Sequence, residues 1–193
     1  MANWNGIILT NKGRALQAKV EAGITLALTK MKLGDGQISG SQSLETLTDL
    51  VQPRQNIGIT TCKALDTGVC AVTGLITNAG VTTGYNVREL GLFATDPDEG
   101  EILYAVTTDS QPDYLQATGG STVISEEFTM NISFSNTNTV TALIDSTVLA
   151  TIDTVTKMIA TAMTSHNLTN HIIAGTTQPT TGENVWLDVD LEA

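Results

Sequence analysis

Apolar and polar positions along this chain change rhythm several times, and each change marks an element. Gly6-Ile7-Ile8-Leu9 is a short apolar run. Thr10 or Asn11 can then cap a helix by accepting a free backbone N–H. The helix is predicted to run to about Ala22, with Ala15, Leu16, the stem of Lys19 and Val20 on one face, and Gly23 ends it. From Ile24 to Leu33 the period drops to two: Ile24, Leu26 and Leu28 point one way, Thr25, Ala27 and Thr29 the other, as in a half-buried strand. Gly34-Asp35-Gly36 breaks that strand. Leu44, Leu47 and Leu50 follow at helical spacing, with Pro53 beyond them.

The stretch to Asp145 reads as strands separated by turn residues. Gln55 to Leu65 and Val69 to Asn78 are predicted to form a hairpin. Asn86 to Thr95 meets Asp96-Pro97-Asp98-Glu99-Gly100, a strong turn, and Glu101 to Thr108 returns alongside it. After a loop over Asp109 to Ser121, Phe128, Met130, Ile132 and Phe134 alternate with polar residues, and Val140 to Ile144 supplies a last strand. Beyond Asp145 the period lengthens again. Val148, Ile152, Val155, Ile159 and Ala162 are spaced four, three, four, three, the seam of a coiled coil. Thr151, Thr154, Thr156 and Thr161 weaken a lone helix there, because β-branching costs rotamer freedom. The seam is read equally well as a three-stranded parallel stalk or as one amphipathic helix packed on its own domain. The expected class is α+β: a strand-rich domain with one N-terminal helix over 1–145, a short coiled-coil-like helix over 146–168, and an irregular C-terminal segment over 169–193. In that last segment Trp186 needs a partner surface to bury its ring.

Composition narrows the function. The 193 residues are 41% hydrophobic but only 15% charged, with abundant threonine, which suits β-structure and surfaces covered by sister subunits. Nine basic residues face twenty acidic ones, a net charge of −11. That argues against nucleic acid, whose phosphates need clustered Lys and Arg, and against an anionic membrane surface. No apolar run reaches the roughly 18 residues of a membrane span, and no secretory signal precedes Thr10, so assembly in a cytoplasm is expected.

Candidate chemistry is sparse. Cys62 and Cys70 flank Asp66-Thr67-Gly68; a cross-strand disulfide and two semi-buried thiols in a reducing compartment are the alternatives, the second being simpler. Gly34-Asp35-Gly36 lacks the remaining signature of a phosphate or calcium loop and reads as a tight turn with glycines at positive φ. His166 and His171 lie five apart, on different helix faces, with no metal set around them. The acids Asp96, Asp98, Glu99 and Glu101 suggest paired carboxylates, but in a Pro- and Gly-containing turn such acids are normally solvated. Arg88-Glu89 is expected to be a structural ion pair. No catalytic, cofactor-binding or metal-binding residue is assigned.

Several blocks, taken in order, resemble one family. Leu9-Thr10-Asn11-Lys12-Gly13 with its Ala-rich helix, then Thr29-Lys30-Met31-Lys32-Leu33-Gly34-Asp35-Gly36, resemble the N-terminal domain of phage tail-collar fibre proteins. So do Arg88-Glu89-Leu90-Gly91-Leu92-Phe93-Ala94, Gly100-Glu101-Ile102-Leu103-Tyr104-Ala105 and Val140 to Asp145. The resemblance implies a non-enzymatic virion protein, a fibre or fibre-connector subunit on the baseplate of a contractile phage tail or tail-like bacteriocin. It implies a homotrimer, which favours a trimer interface at Val148, Ile152, Val155, Ile159 and Ala162. It also implies baseplate wedge or fibre-adaptor partners. Family members typically continue into a long shaft and receptor-binding tip, whereas this sequence ends soon after the predicted helix. A separate receptor-binding fibre could therefore join near Trp186. The alternatives are a short fibre that itself binds the host surface and a polysaccharide depolymerase; the scarcity of aromatics for sugar stacking counts against the latter.

Overall fold

A computed structural model describes residues 4–65, 68–119, 124–133, 140–145, 159–162, 173–174 and 186–187. The chain divides into two compact units, Met1–Val148 and Leu149–Ala193. In chain order the first unit carries β1 (Ile8–Leu9), α1 (Asn11–Glu21), β2 (Leu26–Gly34), a 3-10 turn (Leu44–Thr46), β3 (Pro53–Ile57), β4 (Ile59–Leu65), β5 (Val69–Thr77), β6 (Tyr85–Asn86), β7 (Glu89–Asp96), β8 (Gly100–Thr108), β9 (Tyr114–Leu115), β10 (Ser125–Ser133) and β11 (Val140–Ala142). Among its described residues the second unit carries β12 (Ile173–Ala174) and β13 (Trp186–Leu187), paired in parallel, and helical residues at 159–162.

The class is mostly β, which corrects the α+β expectation: among the described residues strand accounts for 51% and helix for 13%, and α1 is the one helix of seven or more residues. The same finding corrects the expected coiled-coil-like helix over 146–168, of which only 159–162 are described, as helix. In the first unit β-branched threonine, valine and isoleucine favour the extended backbone wherever a neighbouring strand is within reach. The spacing of Leu44, Leu47 and Leu50 likewise yields only the 3-10 turn; these leucines cover a sheet face instead of forming a helical stripe.

Six strands form the main sheet, in the order β1-β8-β7-β2-β11, with β3 pairing the other half of the β2 edge that β11 uses. The helix α1 is fastened to this sheet by its first residues. The Thr10 hydroxyl accepts from the Gly13 N–H (2.9 Å) and donates to the Leu103 carbonyl (2.5 Å), and the Thr10 N–H donates to the Tyr104 carbonyl (3.1 Å). Gly13 is required because a Cβ there would run into the Tyr104 carbonyl oxygen. Leu16 and Val20 are buried, Lys19 is half-buried, and Ala15, expected on the same face, is exposed. Gly23, at φ 108°, ends the helix as predicted.

Two irregularities aim side chains that strict alternation would misplace. The β2–β7 register shifts between Leu28 and Lys30, so burial passes from Leu26 and Leu28 to Met31 and Leu33. The β7–β8 register shifts between Leu92 and Phe93, leaving Tyr104 as the additional residue. Its ring is fully buried under α1 and its hydroxyl donates to Gln17 Oε1 (2.5 Å). The opposite face of this sheet packs Phe93, Leu103 and Val106 against Leu50, with Leu44 and Leu47 beside them.

The second sheet has the order β10-β5-β4. The predicted strand from Gln55 to Leu65 is divided at Gly58, β3 belonging to the first sheet and β4 to the second. The inner residues Cys70, Val72, Ile76, Met130 and Ile132 join Leu16, Leu26, Met31, Leu92 and Tyr104 in one core. The sheets approach closely, since a Cβ on Gly74 of β5 would lie 2.9 Å from the Met31 sulfur.

Candidate functional site

The most buried charged group is Glu89, the first residue of β7, with no exposed surface. One carboxylate oxygen accepts from the Val51 N–H (2.8 Å), the other from the Gly36 N–H (2.9 Å) and the Gln52 N–H (3.1 Å). Three backbone donors satisfy a carboxylate that desolvation would otherwise make costly. They also pin the loops after β2 and before β3 to the start of β7. The glycines on either side of Asp35 owe their identity to this carboxylate: a Cβ on Gly34 or Gly36 would lie 2.5 Å from Glu89 Oε2. The expected positive φ is absent at both, being found among the described glycines at Gly23, Gly68, Gly80 and Gly100. The expected Arg88–Glu89 pair is likewise replaced. Arg88 uses its backbone, donating to the Gly34 carbonyl and accepting from the Asp109 N–H, and it lines a surface cleft with Asn5, Gly36 and Asp109.

The acidic turn between β7 and β8 is clasped by lysines. Lys19 of α1 donates to both oxygens of Asp96 (2.7 and 2.8 Å) and to Asp98 (2.7 Å). Lys12 pairs with Glu99 and Lys30 with Glu101, each at 2.5 Å. Asp96 is buried, and the Lys19 ammonium, followed by the Asp98 N–H, holds its carboxyl below the usual range. In Glu101, burial pushes upward but Lys30 and Thr29 outweigh it, and the net shift is downward. These acids therefore close a hairpin onto a helix and a strand. Asp98, Glu99 and Glu101 are exposed, as expected of acids in such a turn; Asp96 alone is buried, and the lysines seven residues apart on α1 become partners of this turn only after the helix has docked.

Lys30 and Lys32 also stand over the Phe93 ring, at 5.6 and 4.3 Å, and Lys32 pairs with Asp49 at 2.8 Å. Among the described residues no group of three His, Cys, Asp or Glu is arranged to hold a metal ion, and no helix is long and apolar enough to cross a membrane. What the arrangement does is tie loops and a hairpin to the sheet and the helix.

The predicted interface residues are placed unevenly. Val148, Ile152 and Val155, with His166 and His171, lie outside the described residues. Ile159 and Ala162 fall one turn apart in the helical turn at 159–162, both exposed, Ile159 at 53%. Trp186 pairs its backbone with Ile173 in the β12–β13 ladder. Glu89 was missed as a site residue; the signal was a lone acid opening an apolar strand, together with two glycines that no tight turn requires.

All five sequence blocks that carry the family resemblance meet in one sheet. Leu9 lies in β1, the block beginning at Gly100 in β8, Glu89 to Ala94 in β7, Thr29 to Gly34 in β2 and Val140 to Ala142 in β11, which together make the strand path side by side. The family described as phage tail-collar fibre protein, N-terminal, matches residues 1–153. The chain belongs to the phage tail-collar fibre protein family. No curated protein and no solved structure matches it. As a tail-collar fibre protein it is a structural component of a phage tail. The five blocks thus lie in the frame of the six-stranded sheet and the helix docked on it. None of the five blocks lies in β4, β5 or β10.

Proposed function

We propose that this tail-collar fibre protein is a fibre or fibre-connector subunit that attaches to the baseplate of a contractile tail, in a phage or a tail-like bacteriocin, and links it to receptor-binding elements. The observation that carries this reading is the joining of all five signature blocks in a single sheet clasped by Glu89 and by the lysine–acid contacts. A surface that must transmit load between the baseplate and a fibre needs a frame of this kind more than it needs a reactive group. The subunit works as a homotrimer, made in the host cytoplasm, so that three linked copies supply avidity. Val148, Ile152, Val155, Ile159 and Ala162 contribute to the trimer contact, in keeping with the exposed side chain of Ile159. The Trp186 segment meets a separate receptor-binding fibre. The role is mechanical and involves no catalysis or cofactor.

The test is the solution mass of the intact chain beside that of a version ending at Asp145, measured by light scattering at micromolar concentration. Three monomer masses for the intact chain and one for the shorter version uphold the trimer and its location. A monomeric intact chain overturns self-assembly and leaves a subunit ordered by its baseplate neighbours. Purified tails lacking this protein, probed for loss of fibres with the baseplate still present, test the attachment role separately.

A further inference from the structure

Two groups that the tail-fibre role does not use are brought together by the second sheet. Strands β4 and β5 pair so that Cys62 lies opposite Val72, and Ala64 opposite Cys70, which makes the two cysteines diagonal neighbours on the inner face of the hairpin. Their sulfurs are 3.0 Å apart, in a thiol–thiol hydrogen bond. They are the two cysteines of the chain. Cys62 is half-buried and reachable from solvent, whereas Cys70 is buried.

We propose that Cys62 and Cys70 form an intramolecular disulfide when the protein meets a small-molecule disulfide such as oxidised glutathione. The Cys62 thiolate attacks one sulfur of oxidised glutathione, forming a mixed disulfide and releasing one glutathione thiol. The Cys70 thiolate then attacks the Cys62 sulfur and expels the second glutathione thiol. Two protein thiols are oxidised, one glutathione disulfide is reduced, and their two protons pass to the departing thiols. The sulfurs, 3.0 Å apart, must close by about 1 Å to reach bonding distance. Burial, followed by the neighbouring Cys62, pushes the Cys70 thiol up to about 12, so the half-buried Cys62 is the sulfur that meets the oxidant first.

The site has a consequence for the sheet. β4 pairs with β5 along one side, and its other side is tied at its beginning, where Ile59 bridges Ile144 and its carbonyl accepts from the Asp145 N–H. Its far end, Lys63 to Leu65, is exposed. A disulfide at Cys62 fastens that end to the central strand after the particle leaves a reducing cytoplasm. The geometry stands apart from the baseplate reading, which supplies only the occasion for meeting an oxidant.

The experiment treats the full-length reduced protein with oxidised glutathione at neutral pH and reads intact mass and tryptic peptides without reductant. Cleavage after Lys63 separates the two cysteines, so a linkage appears as two joined peptides. The expected result is complete conversion to a protein lighter by two hydrogens, with the joined peptides and no retained glutathione. Cys70→Ser should keep one glutathione on Cys62, and Cys62→Ser should take up none. Free thiols after treatment, a lasting glutathione adduct on the unsubstituted protein, or a disulfide between chains would each overturn the proposal. The unsubstituted protein decides the matter by itself if either variant fails to fold, and no outcome depends on trimerisation or tail assembly.

Discussion

In the six-stranded sheet, β2, β7 and β8 are held by polar contacts reaching across long sequence distances: Glu89 to Gly36 and Val51, Lys19 to Asp96, Thr10 to Leu103. In the three-stranded sheet no ion pair reaches β4, β5 or β10 among the described residues, and the outward side chains include Thr61, Thr73, Thr77 and Thr129, with Thr73 and Thr129 joined at 2.9 Å across the strands. Both sheets contribute to one core, so the difference lies outside the hydrophobic term. In the first sheet the polar clasps, and the glycines that make room for Glu89, add to burial; the second sheet rests on burial and ladder hydrogen bonds. Polar clasps fix loop positions to within hydrogen-bonding tolerance, whereas burial alone is non-directional.

Substitutions can sharpen or break this contrast. The largest effect is expected from Glu89→Ala, which strands three backbone N–H groups around a vacated site and should cost about 3–5 kcal/mol in urea unfolding of the full chain. A cost near that of a surface change would remove Glu89 from the account. Next is Thr10→Ala, which deletes a helix cap and a bond to the Leu103 carbonyl; a loss of about 2 kcal/mol is expected by thermal or urea denaturation.

Asp96→Asn should cost about 1–2 kcal/mol at pH 7, and its pH dependence is diagnostic. Lys19 depresses the folded-state pKa of Asp96, so its contribution is complete above the ordinary carboxylate value of about 3.9 and disappears as pH falls through the lowered value. The stability gap between the unsubstituted protein and Asp96→Asn should be constant from pH 7 to about 5 and shrink below about 4. A gap that persists undiminished at pH 2 would mean that shape, and not charge, makes the contact. The smallest effect is expected from Thr73→Val on the outward face of β5, within about 0.5 kcal/mol. If it exceeded Thr10→Ala, the two sheets would not differ as described.

Much of the local structure was legible. Thr10 as cap and Gly23 as stop bracket α1; the Asp96–Gly100 turn, the β4–β5 hairpin and the alternation ending at Met130 and Ile132 all follow from short-range patterns. The division at Gly58 was not legible, because a glycine inside an alternating run looks the same whether the strand continues or changes sheets. Neither were the bulges at Thr29 and Tyr104, each a single residue that shifts the burial phase only when a partner strand is present. The overall class was misread because local pattern does not weigh one helix, α1, against the number of strands that pair around it.

By itself, then, the order of residues determined where elements begin and end and which faces are apolar, because caps, turns and periodicity act within a few residues. It also carried the five blocks that resemble the family. Only the tertiary structure decided what those blocks are for. The Glu89 cradle needs positions 36, 51, 52 and 89 to converge, and the lysine clasps need α1 laid against a hairpin some eighty residues away. Such contacts depend on how the backbone closes in space, and a linear pattern does not record that distance.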